Sequence, residues 1–312
     1  KPPQPLLLPF GGKSGILSSI YFQKGGTAMN LCDEATIRAL LERHGFHFSK
    51  SMGQNFLIDP QIPYDIAAAS QADIACGVLE IGPGIGPLTS ELAKRAGRVV
   101  SVELDRSLLP ILAETLAEYP NVEIVPGDVM KLDLNVLIAE RFQGLHPIVC
   151  ANLPYNITTP VLTKFIEPPA IESVTVLIQK EVAQRLAAPQ GSADGGAFSL
   201  FLQYYMDVSY LFDVPREKFL PSPKVTSAVL RCVRRESPAV TVRDEAFFFK
   251  VIKGAFLLRR KTLSNSLAAA LPGSEKSAIA EAIAACGLPP AVRGEALTLT
   301  DFAALADALS NL

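Results

Sequence analysis

From Gly77 onward the chain alternates short β-branched runs with helical patterns, and no other feature restricts its fold so tightly. Residues 78–81, 99–103, 122–125, 148–151 and 174–178 read as strands, and residues 87–96 and 107–119 as helices between them. Alternation of this kind predicts an α/β fold, a parallel sheet with helices on both faces. Such a doubly wound sheet binds its ligand at the carboxyl ends of the strands, beside the point where the strand order reverses. A last strand is expected at 227–233, followed by a linker at Glu236-Ser237-Pro238. Helical periodicity in 246–258, 275–285 and 301–309 then predicts a small all-helical C-terminal domain. The expected division is 29–236 for the α/β domain and 237–312 for the helical one.

Residues 1–28 form a separate compositional class, with Pro2, Pro3, Pro5 and Pro9, three lysines and no acid. Tyr21-Phe22-Gln23 resembles the remnant of a protease tag ahead of a start at Met29, so this stretch is expected to be a tag or leader without ordered structure. The 312 residues are 49% apolar and 19% charged, which allows a buried core and excludes wholesale disorder. Cys32, Cys76, Cys150, Cys232 and Cys286 stand far apart with no CxxC, so neither a disulfide framework nor a zinc knuckle is expected. The compartment reads as reducing, hence cytoplasmic. Three histidines without HExxH argue against a zinc hydrolase, and His44 with His47 reads as a helix end rather than a metal pair. No metal is expected. No apolar run approaches the roughly 18 residues of a membrane span, so no membrane partner is expected either.

Net charge is −2, too small for overall charge to hold a polyanion. Its distribution is uneven: residues 29–213 carry 12 Lys+Arg against 22 Asp+Glu, residues 214–261 carry 12 against 4, and residues 262–312 carry 2 against 5. The basic segment holds Lys218, Lys224, Arg231, Arg234, Arg235, Lys253 and the run Arg259-Arg260-Lys261. It reads either as a solvated face with scattered ion pairs or as a phosphate-binding surface on an otherwise acidic protein.

Each motif with chemical content falls at an expected strand end. The first strand runs through Glu80-Ile81 into Gly82-Pro83-Gly84-Ile85-Gly86 and straight into a helix. Glycines there let the backbone approach a ligand, although a tight turn uses them for steric reasons as well. The dinucleotide pattern G-x-G-x-x-G would need glycine at Pro87, which leaves a cradle for a nucleoside without a pyrophosphate. The second strand ends at Glu103, where a carboxylate can accept both ribose hydroxyls, whereas Asp105 reads better as a helix cap. The third ends in Gly127-Asp128-Val129, where an acid can accept an adenine amino hydrogen or cap a helix. The fourth ends in Asn152-Leu153-Pro154-Tyr155. Asn152 Oδ1 and the Leu153 carbonyl can grip the two hydrogens of an exocyclic amine, a poor nucleophile until its nitrogen becomes pyramidal, while Tyr155 stacks on the base. An Asx turn with proline is the structural alternative.

On these residues the chain resembles the KsgA family of small-subunit (16S) rRNA adenine N6,N6-dimethyltransferases, which use S-adenosylmethionine. The resemblance spans residues from about 38 to 309. It includes Lys50-Ser51-Met52-Gly53-Gln54-Asn55-Phe56-Leu57, the glycine turn, the Asn-Leu-Pro-Tyr turn and the segment from Gln179 to Leu186. It continues through Phe219-Leu220-Pro221-Ser222-Pro223-Lys224-Val225 and the segment from Phe256 to Leu263. The resemblance implies a Rossmann-like methyltransferase sheet, with cofactor contacts at Asn55, Leu57, Gly82, Gly84, Glu103, Asp128, Val129 and Asn152. It places Phe219 against the target base opposite Tyr155, with Asn152, Leu153, Pro154, Tyr155 and Phe219 as the catalytic set. It also implies small-subunit rRNA in a pre-30S particle as the partner and a monomer, while the charge map gives RNA contacts at Lys224, Arg234, Arg235, Arg259, Arg260 and Lys261. Two departures stand out: Ser222 interrupts the usual three-proline run, and residues 191–198 replace the family's Lys-x-Tyr-Gly stretch, which puts that loop's RNA contacts in question.

The implied reaction is in-line methyl transfer to adenine N6 of a base extruded from a hairpin loop, without a metal or covalent enzyme intermediate. Four other readings compete. A large-subunit rRNA methylase shares the Asn-x-Pro-Tyr type of turn, but the segments from Gln179 and Arg259 favour the small-subunit branch. A DNA adenine methyltransferase would show Pro-Pro at 153–154. A ribosome-assembly factor with secondary methylation is the third, and a small-molecule methyltransferase, which the basic segment opposes, is the fourth.

The charge map yields a prediction independent of the family. Neutralising Arg259, Arg260 and Lys261 together should weaken loop-RNA binding uniformly and flatten the slope of log affinity against log salt by up to about 2 to 3 units. Cofactor affinity should not change. An unaltered slope in a well-folded triple variant would exclude this run from the phosphate surface.

Overall fold

The computed structural model describes residues 29–48 and 53–310; the leader at 1–28 and Lys50, Ser51 and Met52 of the N-terminal motif lie outside the described residues. In chain order the elements are α1 (Glu34–Arg43), β1 (Phe56–Leu57), α2 (Gln61–Ala69), β2 (Cys76–Ile81), α3 (Pro87–Ala93), β3 (Arg98–Glu103) and α4 (Leu109–Thr115). They continue with β4 (Val122–Pro126), α5 (Leu134–Arg141), β5 (His146–Asn152), α6 (Thr158–Ile166), β6 (Ser173–Gln179), α7 (Lys180–Leu186) and α8 (Ala197–Tyr205). The last are β7 (Met206–Val214), β8 (Phe219–Leu220), β9 (Ser227–Arg234), α9 (Glu245–Ala255), α10 (Leu263–Ala270), α11 (Lys276–Ala285) and α12 (Leu299–Leu309).

Seven strands form one sheet in the order β4-β3-β2-β5-β6-β9-β7. β4 through β6 run parallel, as the alternation requires, and the order reverses between β2 and β5. β9, beyond the alternating part of the chain, instead runs antiparallel to both β6 and β7. All six residues of β2 are buried, which is why its sequence is nearly continuously apolar. Val78 packs with α2 and α3 through Ile66, Leu88 and Leu92, while Leu79 packs on the opposite face with α5 and α6 through Ile138 and Phe165. A third cluster joins α1 and α4 through Ile37, Leu40, Ile111 and Leu112, and it includes Phe56 and Ile85 beside the glycine turn.

Local chemistry sets the boundaries. Asp33 caps α1 by accepting the Thr36 N–H at 2.8 Å. The helix expected over 107–119 is a short 3-10 turn at Arg106–Leu108 followed by α4, with Pro110 in its first turn. The helix expected to reach 258 ends at Ala255, and the chain turns instead. Leu258 donates its N–H to Ser266 Oγ at 3.0 Å, and Lys261 donates to the Leu258 carbonyl at 2.8 Å. Arg259, Arg260 and Lys261 therefore stand on an exposed turn.

Helices α9 to α12 share a core of Phe248, Val251, Leu263, Leu267, Ile279, Phe302 and Leu305, and Leu200 and Tyr204 of α8 belong to the same core. Tyr204 lies 5.3 Å from Phe248 between ring centroids, and both Tyr204 and Tyr205 donate to Glu245. The helical layer is thus built onto α8, ahead of the boundary expected at 236. Gln190, just before the loop that departs from the family, accepts the Leu299 N–H at the start of α12 at 2.9 Å.

Two basic residues of the expected RNA set have partners within the molecule. Because β9 is antiparallel, its end lies at the amino ends of the parallel strands, with Val233 opposite Ser173. Arg234 donates to the carbonyls of Ile166, Pro168 and Ile171 at 2.6–3.0 Å, and Arg235 pairs with Asp207 at 2.6 Å. Arg234 is held by main-chain carbonyls, and Arg235 by a surface ion pair.

The turn into β3 makes one position sensitive. A Cβ on Gly97 would stand 2.3 Å from the Ile74 carbonyl oxygen, a backbone atom that cannot rotate away. Gly97→Ala should therefore cost about 1–3 kcal/mol, read as a lower urea midpoint with an unchanged m value. An unshifted midpoint would show that the 74–77 backbone yields freely.

Candidate active site

A deep pocket opens at the carboxyl ends of β2, β3, β4 and β5, where the strand order reverses, and it encloses about 1190 Å³ of free space including its mouth. The turn after β2 forms its floor. Gly82, Gly84 and Gly86 have φ of 67°, 62° and 95°, a conformation that other residues adopt at a cost. Gly84 is also constrained by space, since a Cβ there would meet the Phe56 ring at 3.1 Å, whereas the space beside Gly82 is open.

Three carboxylates reach this pocket. Glu103 is buried at the end of β3 and accepts the Asp105 N–H at 2.7 Å. Burial pushes its carboxyl up to about 7, against the pull of the Asp105 and Gly84 N–H groups. Glu80, inside β2, accepts the hydroxyls of Thr89 and Ser101 at 2.7 Å each, and burial pushes it to about 7 as well. Asp128 accepts the Met130 N–H at 2.9 Å, so it caps the turn after β4 while still facing the pocket. Asp105 caps the next turn through Ser107, and its second oxygen accepts from Gln54 at 2.7 Å. None of the described residues lining the pocket is Lys, Arg or His.

The fourth wall is the end of β5. Asn152 is half-buried, and its side-chain amide takes no hydrogen bond from any described residue. Leu153 is buried and donates its N–H to the Leu177 carbonyl at 3.1 Å, which fixes the following Pro154-Tyr155 turn against β6. Phe219, buried on β8, closes the slot. β8 pairs with β1 in a two-stranded antiparallel ladder, with Leu57 opposite Phe219. The Ile58 N–H meets the Lys218 carbonyl at 2.9 Å, and Lys218 Nζ meets Asp59 at 2.6 Å. That ladder carries Asn55 and Leu57 into the pocket.

All of the expected pocket residues therefore gather in one place: Asn55, Leu57, Gly82, Gly84, Glu103, Asp128, Val129 and Asn152, with Leu153, Pro154, Tyr155 and Phe219 beside them. Residue patterns alone overlooked Glu80, Leu104 and Gln54, which line it too. An acid inside the apolar run of β2 was the available signal for Glu80, and an apolar residue between Glu103 and Asp105, 57% exposed, was the signal for Leu104. The remaining basic residues lie outside the pocket. Lys224 is exposed on the loop between β8 and β9, and Arg259 reaches the Ala193 carbonyl at 3.3 Å. Arg259 faces Lys180 and Arg185 of α7 across an open cleft.

The sequence pattern of the ribosomal RNA adenine dimethylase family matches residues 45–288. A ribosomal RNA small subunit methyltransferase A from Geobacillus sp. (strain WCH70) is 46% identical over 279 residues, 88% of this chain and 96% of its own length. One from Streptococcus sanguinis (strain SK36) is 49% identical over 288 residues, 91% of this chain and 99% of its own. The crystal structure of the 23S rRNA methyltransferase ErmE superimposes with a TM-score of 0.64 at 26% identity, over 82% of this chain and 99% of that one. A dimethyladenosine transferase from Plasmodium falciparum gives a TM-score of 0.69 at 24% identity over 82% and 97%, which speaks for the fold. With identity at this level running from the pocket's N-terminal strand to the helical layer, the chain belongs to the ribosomal RNA adenine dimethylase family.

Proposed function

We propose that the chain is a small-subunit enzyme of this family: it dimethylates N6 of two adjacent adenines in a hairpin loop near the 3' end of 16S rRNA, with S-adenosylmethionine as cofactor, during ribosome biogenesis. We further propose that it acts as a cytoplasmic monomer, with the helical layer from 237 contributing to RNA binding. The names of the relatives support the small-subunit substrate. The observation that carries the cofactor is the charge of the pocket, with Glu80, Glu103 and Asp128 lining it and no cation among the described lining residues. Such a site repels phosphate-bearing nucleotides and suits a nucleoside that bears positive charge. The open space at Gly82 and the glycine conformations along the turn leave room for close backbone approach.

When bound, S-adenosylmethionine supplies a methyl group already activated by a positive sulfur. The protein's own contribution is to bind, orient and exclude water. Glu103 accepts the ribose hydroxyls, Asp128 beside Val129 accepts from the adenine amino group, and Asn55 and Leu57 close the pocket from β1. Asn152 Oδ1 and the Leu153 carbonyl accept the two hydrogens of the target amine and favour its pyramidal form, the geometry in which its lone pair can attack. Tyr155 and Phe219 hold the base between them. A second transfer requires the monomethyl amine to turn and present its remaining hydrogen, so space beside Asn152 is part of the design. Incubating rRNA fragments with the protein and labelled cofactor, then locating label by mass spectrometry, tests the assignment. Label absent from adenine N6 would overturn it.

Two predictions follow from the roles. Glu103→Ala should weaken S-adenosylmethionine by about 1.5–3 kcal/mol in calorimetry. The Glu103 carboxyl lies near 7 without ligand, and the ribose hydroxyls bind its charged form, so binding favours loss of the proton. Wild-type affinity should therefore rise as pH increases through about 7 and then level, and Glu103→Gln should flatten that rise. A pH-independent wild-type affinity would remove the ribose assignment.

Asn152→Ala, by contrast, should lower the single-turnover rate by about 100-fold or more while RNA affinity changes little. A near-normal rate at saturating cofactor would make the turn purely structural.

A further inference from the structure

Tyr155 carries a contact that the proposed chemistry does not use. Its hydroxyl stands 2.6 Å from Ser227 Oγ, a residue 72 positions away in sequence. Ser227 opens β9, is fully buried, and is held by backbone pairing on both sides, opposite Gln179 of β6 and Val214 of β7. It does not line the pocket itself. A hydroxyl on a strand paired on both edges is thus aimed at the far end of a ring whose flank lines the pocket.

The ring needs such a hold. Tyr155 begins a single 3-10 turn, Tyr155–Ile157, behind Pro154, so the backbone fixes its Cα but leaves the side chain its rotation about χ1. The phenol oxygen is the ring substituent farthest from the backbone, and a bond there limits swing more than a contact near Cβ does. Burial raises the Tyr155 phenol above its ordinary range, so it keeps its proton and remains a full hydrogen-bonding partner at neutral pH. Losing either hydroxyl would leave the other without this bond at the buried end of the ring.

We propose that Ser227 is a positioning residue for the methyl-accepting base: by tethering the Tyr155 hydroxyl it sets the plane and depth of the aromatic wall against which that base stacks. Phe219, the opposite wall, lies eight positions earlier on β8, so the segment 219–227 sets both walls, one directly and one through Ser227. This rests on the base-slot reading above. It goes further in assigning alignment of the acceptor to a residue that touches neither base nor cofactor.

The test is a double-mutant cycle on single-turnover methylation of a 16S-type hairpin-loop RNA at saturating RNA and cofactor. Ser227→Ala and Tyr155→Phe should each slow transfer by about 10-fold or more, because a displaced stacking wall misaligns the reacting atoms. The double variant should be no slower than the worse single one, the signature of a shared interaction. Cofactor affinity should stay within about twofold in all three, which also reports that each is folded. A purely structural bond would lower the melting temperature and leave the saturated rate of folded protein unchanged; that result, or multiplicative effects in the double variant, overturns the proposal. Tyr155→Ala separates the two levels. If it abolishes transfer while Ser227→Ala does nothing, only the tether is wrong; if it transfers normally, the base slot and the tether both fall.

Discussion

The reversal of strand order between β2 and β5 is the constraint on which the rest depends. Parallel strands with both faces covered have no free surface for a ligand except at their ends, and where the order reverses the helices leave in opposite directions and open a crevice. In this chain four strand ends feed that crevice: the glycine turn after β2, Glu103 at β3, Asp128 just beyond β4 and Asn152 at β5. β2, β3 and β5 are locked by side chains buried in the two cores flanking the sheet, while β4, at its edge, is only partly buried, so most of the site inherits the rigidity of the sheet.

Charge then sorts what enters from what stays outside. The pocket is lined by carboxylates, while exposed cations stand on the β8–β9 loop and on the turn after α9. In the proposed function, these cations hold the RNA backbone outside the pocket, the acidic interior repels it, and an unpaired, neutral base meets no such barrier. On that proposal, the same acidity that suits a sulfonium helps to admit a base and exclude its phosphates. Burial of Glu80 and Glu103 tempers this field at neutral pH, since both carboxyls sit near 7 before anything binds.

Much of this was legible in the sequence for a physical reason. Strands buried on both faces are nearly continuous apolar runs, so β2, β3, β5 and β6 were recognisable, and their ends marked the site. β7 was not, because it is an edge strand in which exposed Asp207, Ser209 and Asp213 break the apolar pattern. Asn55 lies just before a two-residue strand in which Leu57 pairs with Phe219, 162 positions away, and local periodicity carries no trace of such a pairing. Their roles came only from the family resemblance. A charge tally along the chain also cannot register that β9 runs antiparallel and carries Arg234 to the amino ends of the parallel strands.

The short β1–β8 ladder deserves weight out of proportion to its length. Leu57, on the proposed cofactor side, is paired with Phe219, on the proposed base side, and the Asp59–Lys218 ion pair continues the link just beyond it. On its other flank the same N-terminal segment is held by the Gln54–Asp105 hydrogen bond beside Glu103. A displacement at either end is transmitted through main-chain hydrogen bonds rather than through flexible side chains alone, so the two halves of the pocket cannot be set independently. In the proposed reading, a cofactor seated against Leu57 and a base seated against Phe219 bear on one hydrogen-bonded pair of strands, and any coupling between them is reciprocal.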